Sequence, residues 1–228
     1  MIATLARRLI SLITRYLILP VYTRVTVVGL ENVPRSGPLI VVANHLNDGD
    51  PGLLLTRIPR RVVFMAKAEL FNYPFLKQFM DLLAFPVHRN EADLKALRQA
   101  QEVLKEGLAL GMFPEGRRSG GDARLGEAWP GAALVALRSG APLLPVAITG
   151  SQRLALPGLF LHPFRRDRVL IRIGEPFGLD RPARIDSAAA KDGTDVIMAQ
   201  IAALLPPEYR GYYGEERARD EGPDAPRA

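Results

Sequence analysis

An α/β fold with a largely parallel central sheet flanked by helices is what this sequence predicts, and three features predict it. Short apolar, β-rich runs recur along the chain: LIVVA at 39–43, RVVFMA at 61–66, LLAFPV at 82–87, LGMFP at 110–114, PLLPVAIT at 142–149 and RVLIRI at 168–173. Helical patterns separate several of them, most clearly at 91–106 and 129–139. The third feature is LIVVA itself, which is apolar at every position, as a strand covered on both faces must be. At 228 residues the chain is long enough for one sizeable core.

The front of the chain reads as an amphipathic helix. Ile2, Leu5, Leu9, Leu12, Ile13 and Tyr16 fall on one stripe, with Thr4, Arg7, Arg8, Ser11 and Arg15 opposite. No uncharged apolar run approaches the roughly 18 residues of a spanning helix, so a transmembrane segment is not expected. A secretory signal is not expected either, because Arg15 interrupts the apolar region and no small-residue cleavage site follows. Residues 1–30 carry Arg7, Arg8, Arg15 and Arg24 without one acid, so the net charge of +6 is concentrated at the front. Such a basic balance suits an anionic partner. The residues alone leave two readings of the helix open: one lies in the interface of an anionic membrane, and the other caps the protein's own core.

Thr26 to Val28 reads as a first short strand, and the turn-rich GLENVPRSGP leads into LIVVA. In the helix expected at 91–106, Leu94, Leu97, Val103 and Leu104 face inward. Glu175 to Thr194 reads as loop, and the tail after Pro206 is charged, with six acids against four arginines from Glu208 onward. There is no cysteine, which excludes disulfides, thiolate metal sites and cysteine nucleophiles. The three histidines, His45, His88 and His162, leave little material for a histidine-rich metal site.

LIVVA runs straight into a polar cluster, NHLNDGDP. Ligands in open α/β sheets gather beyond the carboxyl ends of strands, so His45 is expected at a sheet mouth. Asp50 before Pro51 reads as a helix cap with proline in the first turn. Positions five apart on one helix are separated by roughly 140°, whereas a strand-to-helix turn can fold His45 and Asp50 together. A carboxylate bonded to one imidazole nitrogen leaves the other free to take a proton from a hydroxyl. The alternative for this stretch is a polar loop with a capping aspartate. A second cluster, FPEGRRSG at 113–120, also ends an apolar run, with glycines that permit close backbone approach and two arginines able to fork onto phosphate oxygens. Lys67 and Arg89 follow predicted strands as well, so the cations at strand ends would make an anion pocket. Each taken singly is as readily a solvated surface charge.

These residues carry a family resemblance. NHLNDGD matches the Asn-His-x4-Asp signature of the glycerolipid acyltransferases, FPVHR resembles their second block, FPEGRRS their third and LLPVAITG their fourth. The blocks occur in order over residues 28–150, and the branch most similar is that acting on 1-acyl-sn-glycerol 3-phosphate. Two positions depart from the pattern: Arg117 stands where Thr or Gly is usual, and Pro130 where a basic residue often precedes Gly131.

The resemblance implies transfer of a fatty acyl group from acyl-CoA or acyl carrier protein to the sn-2 hydroxyl of lysophosphatidate, giving phosphatidate. It implies His45 as general base, Asp50 as its orienting partner, and Lys67, Arg89 and Arg118 on the acceptor phosphate, with Glu115 and Gly116 shaping that loop. No metal, bound cofactor or nucleic acid is called for. The implied organisation is a membrane-associating helix at 1–24, an acyltransferase domain at 25–206 and a charged tail of low expected order at 207–228. A peripheral position on the cytoplasmic face of an anionic membrane follows, with the apolar LPGLFLHPF, 156–164, placed against acyl chains or buried as a loop. The rival readings are another acceptor, such as glycerol 3-phosphate, and a non-catalytic protein that only binds anionic membranes.

Overall fold

Strand β2, Leu39–Ala43, is buried at all five positions. Its side chains alternate between two apolar layers: Ile40 and Val42 join one cluster, and Leu39, Val41 and Ala43 join the other. Each fully buried aliphatic side chain of this kind contributes about 1.5–3 kcal/mol relative to exposure. The computed structural model describes residues 23–72, 84–87, 94–119, 122–154 and 167–214. Among them the sheet has seven strands. Besides β2 these are β1 (Thr23–Val28), β3 (Val62–Lys67), β4 (Ala84–Val87), β5 (Ala109–Met112), β6 (Leu143–Thr149) and β7 (Asp167–Ile173), in the spatial order β1-β7-β6-β2-β5-β3-β4.

Every neighbouring pair is parallel except β6 with β7. The five strands β6, β2, β5, β3 and β4 therefore present their carboxyl ends along one edge, while β1 and β7 run the other way. Helix α1 (Asp50–Arg57) packs Leu53 and Leu54 into the layer that holds Leu39 and Val41. Helices α2 (Leu94–Lys105), α3 (Gly131–Ser139) and α4 (Ser187–Leu204) cover the opposite layer.

Among the described residues the expected strands and the helices read at 91–106 and 129–139 are present, the first described from Leu94 and the second beginning at Gly131 because Pro130 serves as its N-cap. One expectation is corrected. The segment read as loop from Glu175 to Thr194 includes the first two turns of α4, which Asp186 caps by accepting from the Ala189 amide at 3.0 Å. Gly193 is where α4 meets α3: a Cβ there would lie 3.2 Å from Ala133 Cβ. Close packing outweighs glycine's low helix propensity. Residues 207–214, assigned by the sequence to the charged tail, form two 3-10 turns at Pro207–Tyr209 and Gly211–Tyr213. The front helix, Arg89, the 156–164 stretch and the end of the tail all lie outside the described residues.

Candidate active site

The register of the sheet builds the site. Val42 pairs with Met112 of β5, and Ala43 pairs with Val146 of β6. The chain leaving β2 thus runs between the ends of two neighbours. Asn44 extends the ladder with its side chain: Nδ2 donates to Ile148 O at 2.8 Å, and Oδ1 accepts from Ile148 N at 2.7 Å. One residue on, the two-residue alternation carries His45 to the face of Ala43 and α1. There its ring stacks on Phe113, with centroids 4.1 Å apart. Phe113 stacks in turn on Phe64 at 5.6 Å. Gly111 makes room for this column, since a Cβ there would fall 2.4 Å from the Phe64 ring.

Asp50 is fully buried and His45 nearly so. A single carboxylate oxygen, Asp50 Oδ2, meets His45 Nδ1 at 3.1 Å and accepts the backbone amides of Leu46 and Asn47, each at 2.7 Å. The expected helix cap is therefore corrected. Gly49 is the N-cap, and the Asp50 carboxylate turns back into the loop, where an imidazole and two amides converge on it. With Nδ1–H held by the carboxylate, the ring presents its lone pair at Nε2, which has no hydrogen bond to any described residue. Such a nitrogen can accept a proton from an incoming hydroxyl.

Glu115 is the second buried carboxylate. Its Oε1 accepts His45 N at 3.2 Å, while Oε2 accepts Ser119 Oγ and Gly126 N, each at 2.9 Å. Ser119 N closes the circuit onto His45 O at 2.7 Å. Gly116, with φ +63°, takes the left-handed turn after it, and the indole of Trp129 covers its Cα. The fork after this turn faces solvent: Arg118 is exposed and paired at 3.0 Å with the equally exposed Asp48.

His45, Asp50, Glu115, Gly116 and Arg118 are thus brought to one place. Lys67 ends β3 on the same edge, two strands from β2, and its side chain lies outside the described residues, as does the whole of Arg89. Sequence reasoning passed over Phe64, Gly111, Phe113, Ser119 and Gly126; only Phe113 and Ser119, inside the FPEGRRS block, carried any local signal. Among the described residues no three His, Cys, Asp or Glu side chains converge as metal ligands.

Burial raises the pKa of Glu115 above the ordinary carboxylate range, against the opposing pull of the Gly126 and His45 amides and the Ser119 hydroxyl. Between the ordinary and the raised value the folded state holds a proton that the unfolded chain has released, so stability falls as pH rises through that window. Unfolding free energies of the intact chain minus those of Glu115→Gln should therefore decrease with pH there. Chemical denaturation at a series of pH values checks it, and a flat or rising difference would contradict the burial argument. The substitution should also loosen the loop at any pH, because an amide has one acceptor oxygen for three donors on two sides.

A largely parallel sheet whose strand ends carry a buried carboxylate–imidazole pair, with a glycine-arginine turn beside it, defines an α/β protein with an imidazole nitrogen at its sheet edge able to take up a proton. Residues 24–149 match the model of the family described as Acyltransferase, more than half of the 228-residue chain, and the chain belongs to that family. A Bacillus subtilis protein named 1-acyl-sn-glycerol-3-phosphate acyltransferase is 31% identical over 154 residues, 67% of this chain and 73% of its own length. One of the same name from Borreliella burgdorferi is 26% identical, with 61% of this chain matched to 56% of that protein. The crystal structure of the 1-acyl-sn-glycerophosphate (LPA) acyltransferase PlsC from Thermotoga maritima is similar with a TM-score of 0.66 at 27% identity, covering 89% of this chain and 81% of that one.

Proposed function

We propose that this chain transfers a fatty acyl group from an acyl thioester, acyl-CoA or acyl carrier protein, to the sn-2 hydroxyl of 1-acyl-sn-glycerol 3-phosphate, giving phosphatidic acid. The observation that carries the proposal is the buried His45–Asp50 pair, with Nε2 unengaged among the described residues, in a chain whose relatives bear that activity in their names. In this reading Nε2 takes the hydroxyl proton as the acceptor oxygen attacks the thioester carbonyl. The tetrahedral intermediate then expels the thiolate, which takes the proton back from the imidazolium. The sequence holds no cysteine, which fits direct attack without an acyl-cysteine intermediate. Asp50 holds the tautomer and offsets the transient charge on the ring.

Arg118, with Lys67 and Arg89 as further candidates, binds the acceptor phosphate in this proposal, and Glu115 with Gly116 shapes the loop that presents it. The Asp48–Arg118 pair supports such a role, since exposed ion pairs are weakly held and a dianionic phosphate can displace the carboxylate. The amphipathic front helix would rest on an anionic membrane on its cytoplasmic face, where a lipid acceptor is found. No described helix is long and apolar enough to cross a membrane.

The test sets lysophosphatidate against monoacylglycerol, the same acceptor without phosphate, using labelled acyl-CoA and resolving products by mass. Lysophosphatidate should be strongly preferred. Arg118→Ala should cut kcat/KM for it by roughly 10-fold, the scale of one charge-assisted hydrogen bond, and leave the donor KM nearly unchanged. Equal rates on the two acceptors with the unmodified protein would sink the phosphate assignment.

A further inference from the structure

Resting on that reading of the site, we propose that the segment 207–214 is a positioning element for acyl transfer: through Gly211, Tyr209 and Tyr213 it holds the stretch 125–129 that braces Glu115. Both backbone hydrogen-bonding groups of Leu125 are given to this segment. Leu125 N donates to Tyr209 O, and Leu125 O accepts Tyr212 N, each at 2.9 Å. Tyr213 Oη accepts the Ala128 amide at 3.2 Å, and Tyr209 Oη accepts Gln152 Nε2 at 2.9 Å, which ties the clasp to the 3-10 turn Ser151–Arg153 that follows β6. Leu125 is buried, with Tyr209 and Tyr213 packed against the same apolar layer.

The clasped stretch reaches the site at its next residue. Gly126 N is one of the three donors on Glu115, whose other oxygen holds the backbone of His45. Trp129 N donates to Pro114 O at 2.9 Å, immediately before Glu115. A displacement of Leu125 is thus passed to the loop behind His45 through one hydrogen bond at each end of the 126–129 stretch. Position 211 admits only glycine. Its φ is +46°, and a Cβ there would lie 2.3 Å from Leu125 O and 2.9 Å from Leu125 N. Real Cβ atoms do not approach backbone so closely, so any side chain must push the two segments apart.

This predicts an effect set by the first carbon and not by side-chain size. The full chain carrying Gly211→Ala, Gly211→Val or Tyr213→Phe is compared with the unmodified chain for thermal midpoint, Trp129 emission, and kcat and KM over a pH series. Trp129 is the sole tryptophan, so its emission reports this stretch alone. Gly211→Ala should already lower kcat/KM by about 10-fold, with Gly211→Val little worse and Trp129 emission shifted in both. Tyr213→Phe keeps the ring and removes the hydroxyl that the Ala128 amide meets, for a loss of at least about 5-fold, the scale of one neutral hydrogen bond. Withdrawing Gly126 N removes one of the hydrogen bonds that hold the Glu115 pKa down, so that carboxyl should take up its proton at higher pH. The groups facing that carboxylate are His45, Ser119 and Gly126, with Arg117 alongside. Unchanged emission in Gly211→Ala, or an activity loss that merely tracks the unfolded fraction, would overturn the proposal. Should the unmodified protein transfer no acyl group to lysophosphatidate, the functional reading fails. Trp129 emission then still decides whether 207–214 positions 125–129, a shift supporting it and none refuting it.

Discussion

His45→Ala is expected to lower kcat by about 100-fold or more, the usual scale for a general base, with the protein still folded. The substitution removes the one nitrogen at this edge that is aimed by a carboxylate, backed by the Phe113 ring and not bonded elsewhere among the described residues. It leaves the Asp50 carboxylate with the Leu46 and Asn47 amides, which limits the cost to stability. Turnover with saturating acyl-CoA and lysophosphatidate, alongside circular dichroism, measures both effects. A folded variant with near-normal turnover would refute proton transfer by His45.

Asp50 should respond in a graded way that the geometry makes specific. In Asp50→Asn an amide could in principle turn its nitrogen toward His45 and enforce the wrong tautomer. The Leu46 and Asn47 amides prevent this, since both donate to the oxygen that meets Nδ1 and would clash with an NH2 there. The amide oxygen takes that place, the tautomer survives, and what is lost is the charge opposite the imidazolium. Hydrogen bonds to charged groups exceed neutral ones by about 1–1.5 kcal/mol, so a loss of roughly 10-fold in kcat is the floor, and the low dielectric of a buried pair raises it toward 100-fold. Asp50→Ala strands Nδ1 and two amides without an acceptor, and should approach His45→Ala in turnover while also unfolding more readily. Equal kcat for Asp50→Asn and Asp50→Ala would show that the charge, and not the anchoring of the loop, is all that Asp50 supplies.

Local chemistry made much of this legible in the sequence. LIVVA is apolar throughout because both faces of β2 are covered, and the step from that run into NHLNDGDP marks a strand end where backbone groups and ligands meet. The His45–Asp50 contact spans five residues and is closed by a turn, so spacing alone could suggest it. The start of α4 is not legible locally, because Gly193 has low helix propensity and its packing against Ala133 of α3 exists only in the folded chain.

What the residues determined by themselves was the alternation of strands and helices, the polar strand end at His45, and the glycine-arginine turn at 115–118, since each depends on neighbours within a few positions. Strand order and register were decided only in three dimensions. Because β5 inserts between β2 and β3, Glu115 meets the backbone of His45 from 70 residues away, and Phe113 arrives beneath its ring. The same packing lays Tyr213 against Ala128 across 85 residues. Such contacts follow from which strand lies beside which and by how far it is shifted, and no local periodicity encodes either, because burial of the whole sheet selects them together.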